Sequence, residues 1–340
     1  MRARAVAAAL VTGAAVAAAG GALAQGAGAA RPGASAPTRE GSDAASWLQR
    51  IYAATERLSY AGTFLYQHGE HSETSRITRI VDGSGVHERL EALDGTPREI
   101  VRVNEQVICY LPQTMTMKVE RQSDTRPFPG MRAAPRELGE HYTIRKAETE
   151  RIAGHDCQAI VLEPRDGYRY GHKLWADVST GMLVRARTYN EKGEVVEQFA
   201  FTQLQIGGRI DREQVKSRYA GKGRDWKVES SGMVPADLAR HGWLLKALPP
   251  GYRKVTELKR NVGASVDVGQ IVLSDGLAAV SVFIEALGEK SPQAAPGASR
   301  QGAVNVYTRR LDNYLVTVIG EVPAESVKLI AQNVEYRRPQ

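Results

Sequence analysis

Three stretches of the chain carry residue types that can do chemistry. His155-Asp156-Cys157 holds the components of a cysteine nucleophile, which needs a thiolate, an imidazole to take its proton and a carboxylate to orient that imidazole. The stretch alternates like a β-strand, however, and consecutive strand side chains point to opposite faces, so the three cannot form a relay. His68, Glu70 and His71 are metal-ligand types, but they fall in a polar hairpin turn without neighbours in sequence to orient them, which reads as a solvated turn. Asp82-Gly-Ser-Gly85 lacks the strand-to-helix context of a nucleophile elbow. Glycine-rich phosphate loops, zinc-type cysteine pairs and paired carboxylates do not occur. The sequence predicts no catalytic residue, no metal and no cofactor, and so a binding protein rather than an enzyme.

The elements that would position a binding surface are mostly strands. An amphipathic helix is expected from Ser42 or Asp43 to Leu58, because Leu48, Ile51, Tyr52 and Thr55 recur at i, i+3, i+4 and i+7 with Trp47 beside them. From Tyr60 the period becomes two. Strands are expected at Tyr60 to His68, Ser75 to Val81, Val86 to Leu93, Arg98 to Val103, Gln106 to Leu111 and Met115 to Arg121. After a Pro/Gly-rich loop and a helical turn near Glu137, Tyr142 to Ile152 leads into Cys157 to Glu163, His172 to Val178, Met182 to Tyr189 and Val195 to Ile206. Their short Gly-containing turns make an antiparallel meander. On its last strand, strict alternation sends Phe199 and Phe201 to one face and Leu204 and Ile206 to the other, so both faces meet apolar material.

Residues 209–227 hold seven Lys or Arg against three Asp or Glu without periodicity, and 209–240 reads as a linker. A second unit, 241–340, has strands at Arg253 to Lys259, Gln270 to Leu273, Leu277 to Leu287, Val304 to Thr308 and Tyr314 to Ile319. A loop runs from Ser291 to Gly302, and a closing helix after Pro323 carries Val327, Ile330, Ala331 and Val334. The fold class is α+β, mainly antiparallel β: a large curved half-barrel sheet (42–208) wrapped round a helix, followed by a smaller antiparallel sheet with a C-terminal helix.

Residues 1–24 read as a secretory signal peptide, with Arg2 and Arg4 before an Ala-rich run and Ala22-Leu23-Ala24 before the cut; residues 25–41 read as a disordered tether. The expected compartment is the periplasm. Losing Arg2 and Arg4, the only charges in 1–24, lowers the formal charge from +7 to +5. Export argues against a nucleic-acid partner, and self-association is left open. Cys109 and Cys157 sit on expected strands, and a disulfide between them is favoured if those strands are neighbours, with two buried thiols as the alternative.

A curved sheet over a helix forms an apolar cavity suited to acyl chains, for which Phe64, Tyr66, Ile108, Tyr110, Met115, Met117, Trp175, Phe199 and Phe201 are the candidate lining. Packing residues are the plainer reading of the same set. Arg218, Lys222, Arg224, Arg309 and Arg310 are candidates for contacting an acidic partner.

Several motifs in order carry a family resemblance: Trp47-Leu-Gln-Arg-Ile51, Tyr60-Ala-Gly-Thr-Phe64 with Tyr66, Leu174-Trp-Ala-Asp177 with Thr180-Gly181, Leu248-Pro-Pro-Gly-Tyr252 and Ser274-Asp-Gly276-Leu. Together they resemble the MucB/RseB family of periplasmic regulators of the envelope-stress sigma factor, from about Ser46 to Tyr336. The resemblance implies a half-barrel similar to the lipoprotein carriers LolA and LolB. It also implies binding to the periplasmic segment of a single-pass anti-sigma factor, protection of that segment from regulated proteolysis, and release by lipopolysaccharide or mislocalised lipoprotein. The alternative function is a periplasmic lipoprotein or lipid carrier of the LolA type, for which the second unit has no evident use.

Overall fold

The computed structural model describes residues 39–121, 138–221, 225–230, 232–262, 265–288 and 296–338. The expected signal peptide and most of the tether lie outside them. Helix α1 (Arg39–Arg57) begins a few residues before the expected cap. Six strands follow: β1 (Tyr60–His68), β2 (His71–Asp82), β3 (Gly85–Ala92), β4 (Glu99–Val103), β5 (Gln106–Leu111) and β6 (Thr116–Arg121). The one-turn α2 (Leu138–His141) opens the second meander, β7 (Tyr142–Ile152), β8 (His155–Pro164), β9 (Gly171–Asp177), β10 (Leu183–Tyr189) and β11 (Val195–Ile206).

The two meanders join through β1 and β11, which pair antiparallel. Strand β12 (Lys227–Ser230) then adds to β6 in parallel, giving one open sheet of twelve strands with β7 and β12 as its edges. Part of the expected linker is therefore a strand of the sheet. Helix α1 packs on the β7 side, where Leu48 and Ile51 are fully buried and Trp47 nearly so, against Tyr142, Ile160, Leu162 and Leu174. Each such side chain contributes roughly 1.5–3 kcal/mol of burial, which holds a helix of modest intrinsic propensity in place.

The pairing of β1 with β11 corrects the expected facing of the last strand. Phe199 and Phe201 stand opposite Tyr66 and Phe64, and after a register shift Leu204 and Ile206 stand opposite Gly62 and Tyr60. Thr202 is the inserted residue of a β-bulge, its hydroxyl donating to the Thr63 carbonyl at 3.1 Å. One extra residue reverses the parity of everything beyond it. All four side chains thus gather on the side of Tyr60, Phe64 and Tyr66. Gly62 is required here, since a Cβ would lie 2.8 Å from the Phe201 ring and 2.5 Å from the Gln203 carbonyl oxygen.

The disulfide favoured from sequence does not form: Cys109 and Cys157 are both free and buried. Cys109 is on β5 and Cys157 on β8, and seven strands lie between them in the sheet. At about 4.8 Å per strand that is on the order of 40 Å along the sheet, against about 7 Å for bridged Cα atoms.

The second sheet has the order β13-β15-β16-β17-β20-β19-β18. Its strands are β13 (Val234–Pro235), β15 (Arg253–Val262), β16 (Ser265–Ser274), β17 (Ala279–Ala286), β18 (Gly297–Gln301), β19 (Val304–Leu311) and β20 (Tyr314–Gly320). Helix α3 (Ala324–Gln332) covers it, burying Val327, Ile330 and Ala331 against Val282, Val316 and Val318. A short ribbon of β14 (Trp243–Leu245) and β21 (Val334–Tyr336) closes the unit, with Trp243 against Tyr314 and Tyr336 at 4.8 and 4.7 Å. The expected loop ending at Gly302 contains β18, paired to β19 throughout.

Candidate functional site

The nine candidate lining residues do not share one surface. Phe64, Phe199 and Phe201 form a packed aromatic cluster, with Phe64 to Phe199 at 5.0 Å and Phe199 to Phe201 at 5.1 Å. All three are at most 5% exposed. Tyr66 lies half-buried beside them, its hydroxyl donating to Glu197 at 2.7 Å; burial first and then that carboxylate push its phenol pKa up. Trp175 is buried in the same cluster and carries three cations over its ring, Lys173 at 4.8 Å, Arg185 at 5.3 Å and Arg187 at 5.4 Å.

Ile108, Tyr110 and Met117 are on the other side of the sheet. The register runs from Phe64 opposite Ser75, through Ile77, Leu90 and Ile100, to Cys109, which places Cys109 on the Phe64 side. Its neighbours Ile108 and Tyr110 therefore face away, with Met117 opposite Tyr110. Met115 is 55% exposed at the left-handed end of a 3-10 turn, with φ of 45°. A single cavity lined by all nine is thus divided by the sheet itself.

On the Tyr110 side residues 212–221 and 225–227 are laid across β2 to β6 as a strap. Arg212 pairs with Asp82, Arg89 donates to the carbonyls of Gln214 and Lys216 at 3.1 and 3.3 Å, and Tyr219 and Trp226 pack on Tyr110 at 5.9 and 6.0 Å. Arg218, a candidate partner contact, pairs instead with Glu91 and Glu99 of its own chain. Beneath the strap lies a polar cavity of about 320 Å³ lined by Arg76, Thr78, Arg89, Glu91 and Gln214. Arg309 is half-buried and donates to the Val334 carbonyl, while Arg310 is exposed. Lys222 and Arg224 lie outside the described residues.

The residues with catalytic side chains fall into structural roles. His155 approaches Asp177 through Nδ1 at 3.3 Å, and its Nε2 is 3.1 Å from the Leu204 carbonyl oxygen. Both ring nitrogens are therefore engaged away from Cys157, whose thiol burial pushes up to about 12. Asp177 in turn caps the next turn, accepting from the Ser179 and Thr180 amides and the Thr180 hydroxyl. His68 and His71 have ring centroids 5.6 Å apart, and among the described residues no three metal-ligand side chains converge.

One arrangement was not singled out from sequence. Arg169, in the β8–β9 connection, is fully buried between the rings of Tyr142 and Tyr252, 5.6 and 5.5 Å from their centroids. It lies 3.9 Å from the equally buried Asp275 in the β16–β17 turn. The available signal was an arginine flanked by tyrosines, Tyr168-Arg-Tyr170, in a turn-forming stretch.

The chain as a whole resembles known proteins. The model of the MucB/RseB N-terminal domain matches residues 43–219 and that of the MucB/RseB C-terminal domain matches 237–335. The chain belongs to the MucB/RseB family. Among its relatives, the sigma factor AlgU regulatory protein MucB of Pseudomonas aeruginosa is 31% identical over 307 residues, covering 88% of this chain and 93% of that protein. The sigma-E factor regulatory protein RseB of Escherichia coli K12 is 24% identical over 294 residues, covering 85% and 89%. A crystal structure of MucB in complex with MucA(peri) aligns at 30% identity and a TM-score of 0.67, covering 87% of this chain and 99% of that one. A crystal structure of MucB alone aligns at a TM-score of 0.65. The alignment with these MucB structures spans both sheets of this chain.

Proposed function

We propose that this chain is a periplasmic regulator that binds the periplasmic segment of a single-pass anti-sigma factor, protects it from regulated proteolysis and releases it when lipopolysaccharide or a mislocalised lipoprotein binds. The observation that carries this reading is that both family domains are matched in order, and that a MucB sharing 30% identity over 87% of this chain is described in complex with MucA(peri). The family's named members are regulatory proteins, and the side-chain geometry around Cys157 favours binding over catalysis.

The acyl chain of a lipid would enter at the rim of the aromatic cluster, where Tyr66, Leu90, Leu204 and Ile206 are half-buried against it, rather than through the filled positions of Phe64, Phe199 and Phe201. Release requires that lipid bind the free regulator more tightly than the regulator-partner complex, because a ligand shifts an equilibrium only by its differential affinity. A calorimetric titration of residues 25–340 with the periplasmic segment of the organism's own anti-sigma factor, repeated with lipopolysaccharide, tests both parts. Saturable binding weakened by lipid is expected. Binding untouched by lipid removes the sensing half, and no binding, with retained lipid transferable to membranes, supports the LolA-type carrier instead.

A further inference from the structure

The buried polar contacts between the two sheets centre on one short stretch of chain, Asp166 to Tyr170, with the His68–Gly69 turn beside Gly302 and His141 beside Gly251 at its margins. Arg169 donates to the Pro250 carbonyl, and its Nε lies 3.2 Å from Asp166 and 3.9 Å from Asp275. Asp275 accepts the Tyr142 hydroxyl at 3.2 Å through one oxygen and holds the Leu277 and Ala278 amides with the other. The Tyr168 carbonyl accepts from Tyr252 at 3.3 Å and Ser326 at 2.7 Å, and Asn305 donates to the Tyr170 hydroxyl at 2.9 Å. Leu277 packs on the core beneath α1, and Ala303 on Tyr170 and Val196.

A permanent interface is mainly apolar, whereas this one centres on a fully buried ion pair whose arginine leaves Nη1 without a hydrogen-bond partner. A buried pair returns little net stability over its separated, solvated partners, but a half-broken one leaves a charge stranded out of water. The contact is therefore close to all-or-none: it is either fully made or fully open.

At the far end the connection differs in kind. The chain leaves the first sheet at Ser230 and joins the second at Val234, passing through Gly232 in the left-handed region with φ of 57°. Arg260 of β15 lies 4.0 Å from Glu120 of β6 beside it. This end is tied to both sheets by strand pairing, so relative motion is confined to rotation about it.

We propose that the two domains are a hinge and latch, with the hinge at the β12–β13 junction and Arg169 as the pin of the latch, and that the protein exchanges between a latched state and one in which the Asp275, Tyr142 and Tyr252 socket is open to water. The exchange is a property of the chain itself and does not depend on what it binds.

Hydroxyl-radical footprinting of tyrosines in the full chain reads this directly, with Tyr60, buried in the first core, as the control. Arg169→Met leaves Asp275 buried without its cation, and Asp275→Asn, which keeps an oxygen for the turn amides, leaves Arg169 paired with Asp166 of its own domain but without the carboxylate across the interface. Each is expected to raise labelling of Tyr142, Tyr170 and Tyr252 by about tenfold or more, with Tyr60 unchanged. In the double variant neither member of the cross-domain pair faces a missing partner, although Pro250 loses its donor and Asp166 its cation, so labelling should rise by less than the two single effects combined. Labelling of Tyr60 in step with the others, additive effects in the double variant, or no rise at all would overturn the latch. In the unaltered chain under increasing urea, the three interface tyrosines should become reactive before Tyr60; coincident transitions would equally overturn it.

Discussion

Phe64 and Phe201, 137 residues apart in sequence, stand directly opposite each other on β1 and β11 with ring centroids 6.0 Å apart and planes at 78°. This pair is the seam of the large sheet. Each of the two meanders is stitched by local hairpins, and their union into one sheet depends on the β1–β11 contact, with Gly62 leaving room for the Phe201 ring.

Phe201→Ala should cost about 3–5 kcal/mol, as expected for a large aromatic removed from a closed core, and Gly62→Ala should also destabilise by forcing the Phe201 ring from its place. Urea unfolding followed by tryptophan fluorescence measures both as a lowered midpoint. A loss under about 1 kcal/mol for Phe201→Ala would mean the seam relaxes without a cavity.

The His172 imidazole sets a pH dependence. Burial lowers its pKa from 6.5 to about 4, and the opposing pull of Asp275 does not overcome it. Between those values the unfolded chain takes up a proton that the folded chain refuses, so stability present above pH 6.5 is lost as pH falls through about 4. The slope this site contributes approaches about 1.4 kcal/mol per pH unit. His172→Gln should flatten the stability-pH profile in that window, and an unchanged slope would assign the acid loss to other groups.

Both thiols should be inert in the folded protein. Burial raises the pKa of Cys109 and takes Cys157 to about 12, so little thiolate exists at neutral pH. Ellman's reagent is expected to count no thiols in buffer and two in denaturant, with an intact mass that reductant leaves unchanged. Fewer than two thiols in denaturant would point to a bridge formed outside the native fold.

The strap is held as much by Arg218 as by its aromatic stack. Arg218→Ala leaves Glu99, which is 1% exposed, with Arg89 and the backbone amide of residue 218, one cation fewer, and should cost about 1–3 kcal/mol. The same substitution should speed protease cleavage between residues 209 and 227, because fewer contacts then hold the strap to the sheet. Partner affinity measured alongside would separate this internal role from a direct contact.

The order of strands and turns, the amphipathic face of α1 and the closing helix were legible because each is written in local periodicity: Leu48 and Ile51 recur on one helical face, and Gln106 to Leu111 alternates as a strand whatever lies beside it. The family was legible too, since its motifs are short and local. The tertiary structure alone decided the facing of Leu204 and Ile206, because a bulge at Thr202 exists only relative to the partner strand. It also decided that Cys109 and Cys157 stay apart, that Tyr110 and Phe64 face opposite ways, and that Arg212, Arg218 and Trp226 of the basic stretch lie bound to the sheet. Arg169 and Asp275 are ordinary turn residues in sequence; they become a buried pair only when the second sheet docks on the first. What the chain fixes by itself is the period of each element, and what the fold adds is which element lies next to which, because pairing across more than a hundred residues leaves no local trace.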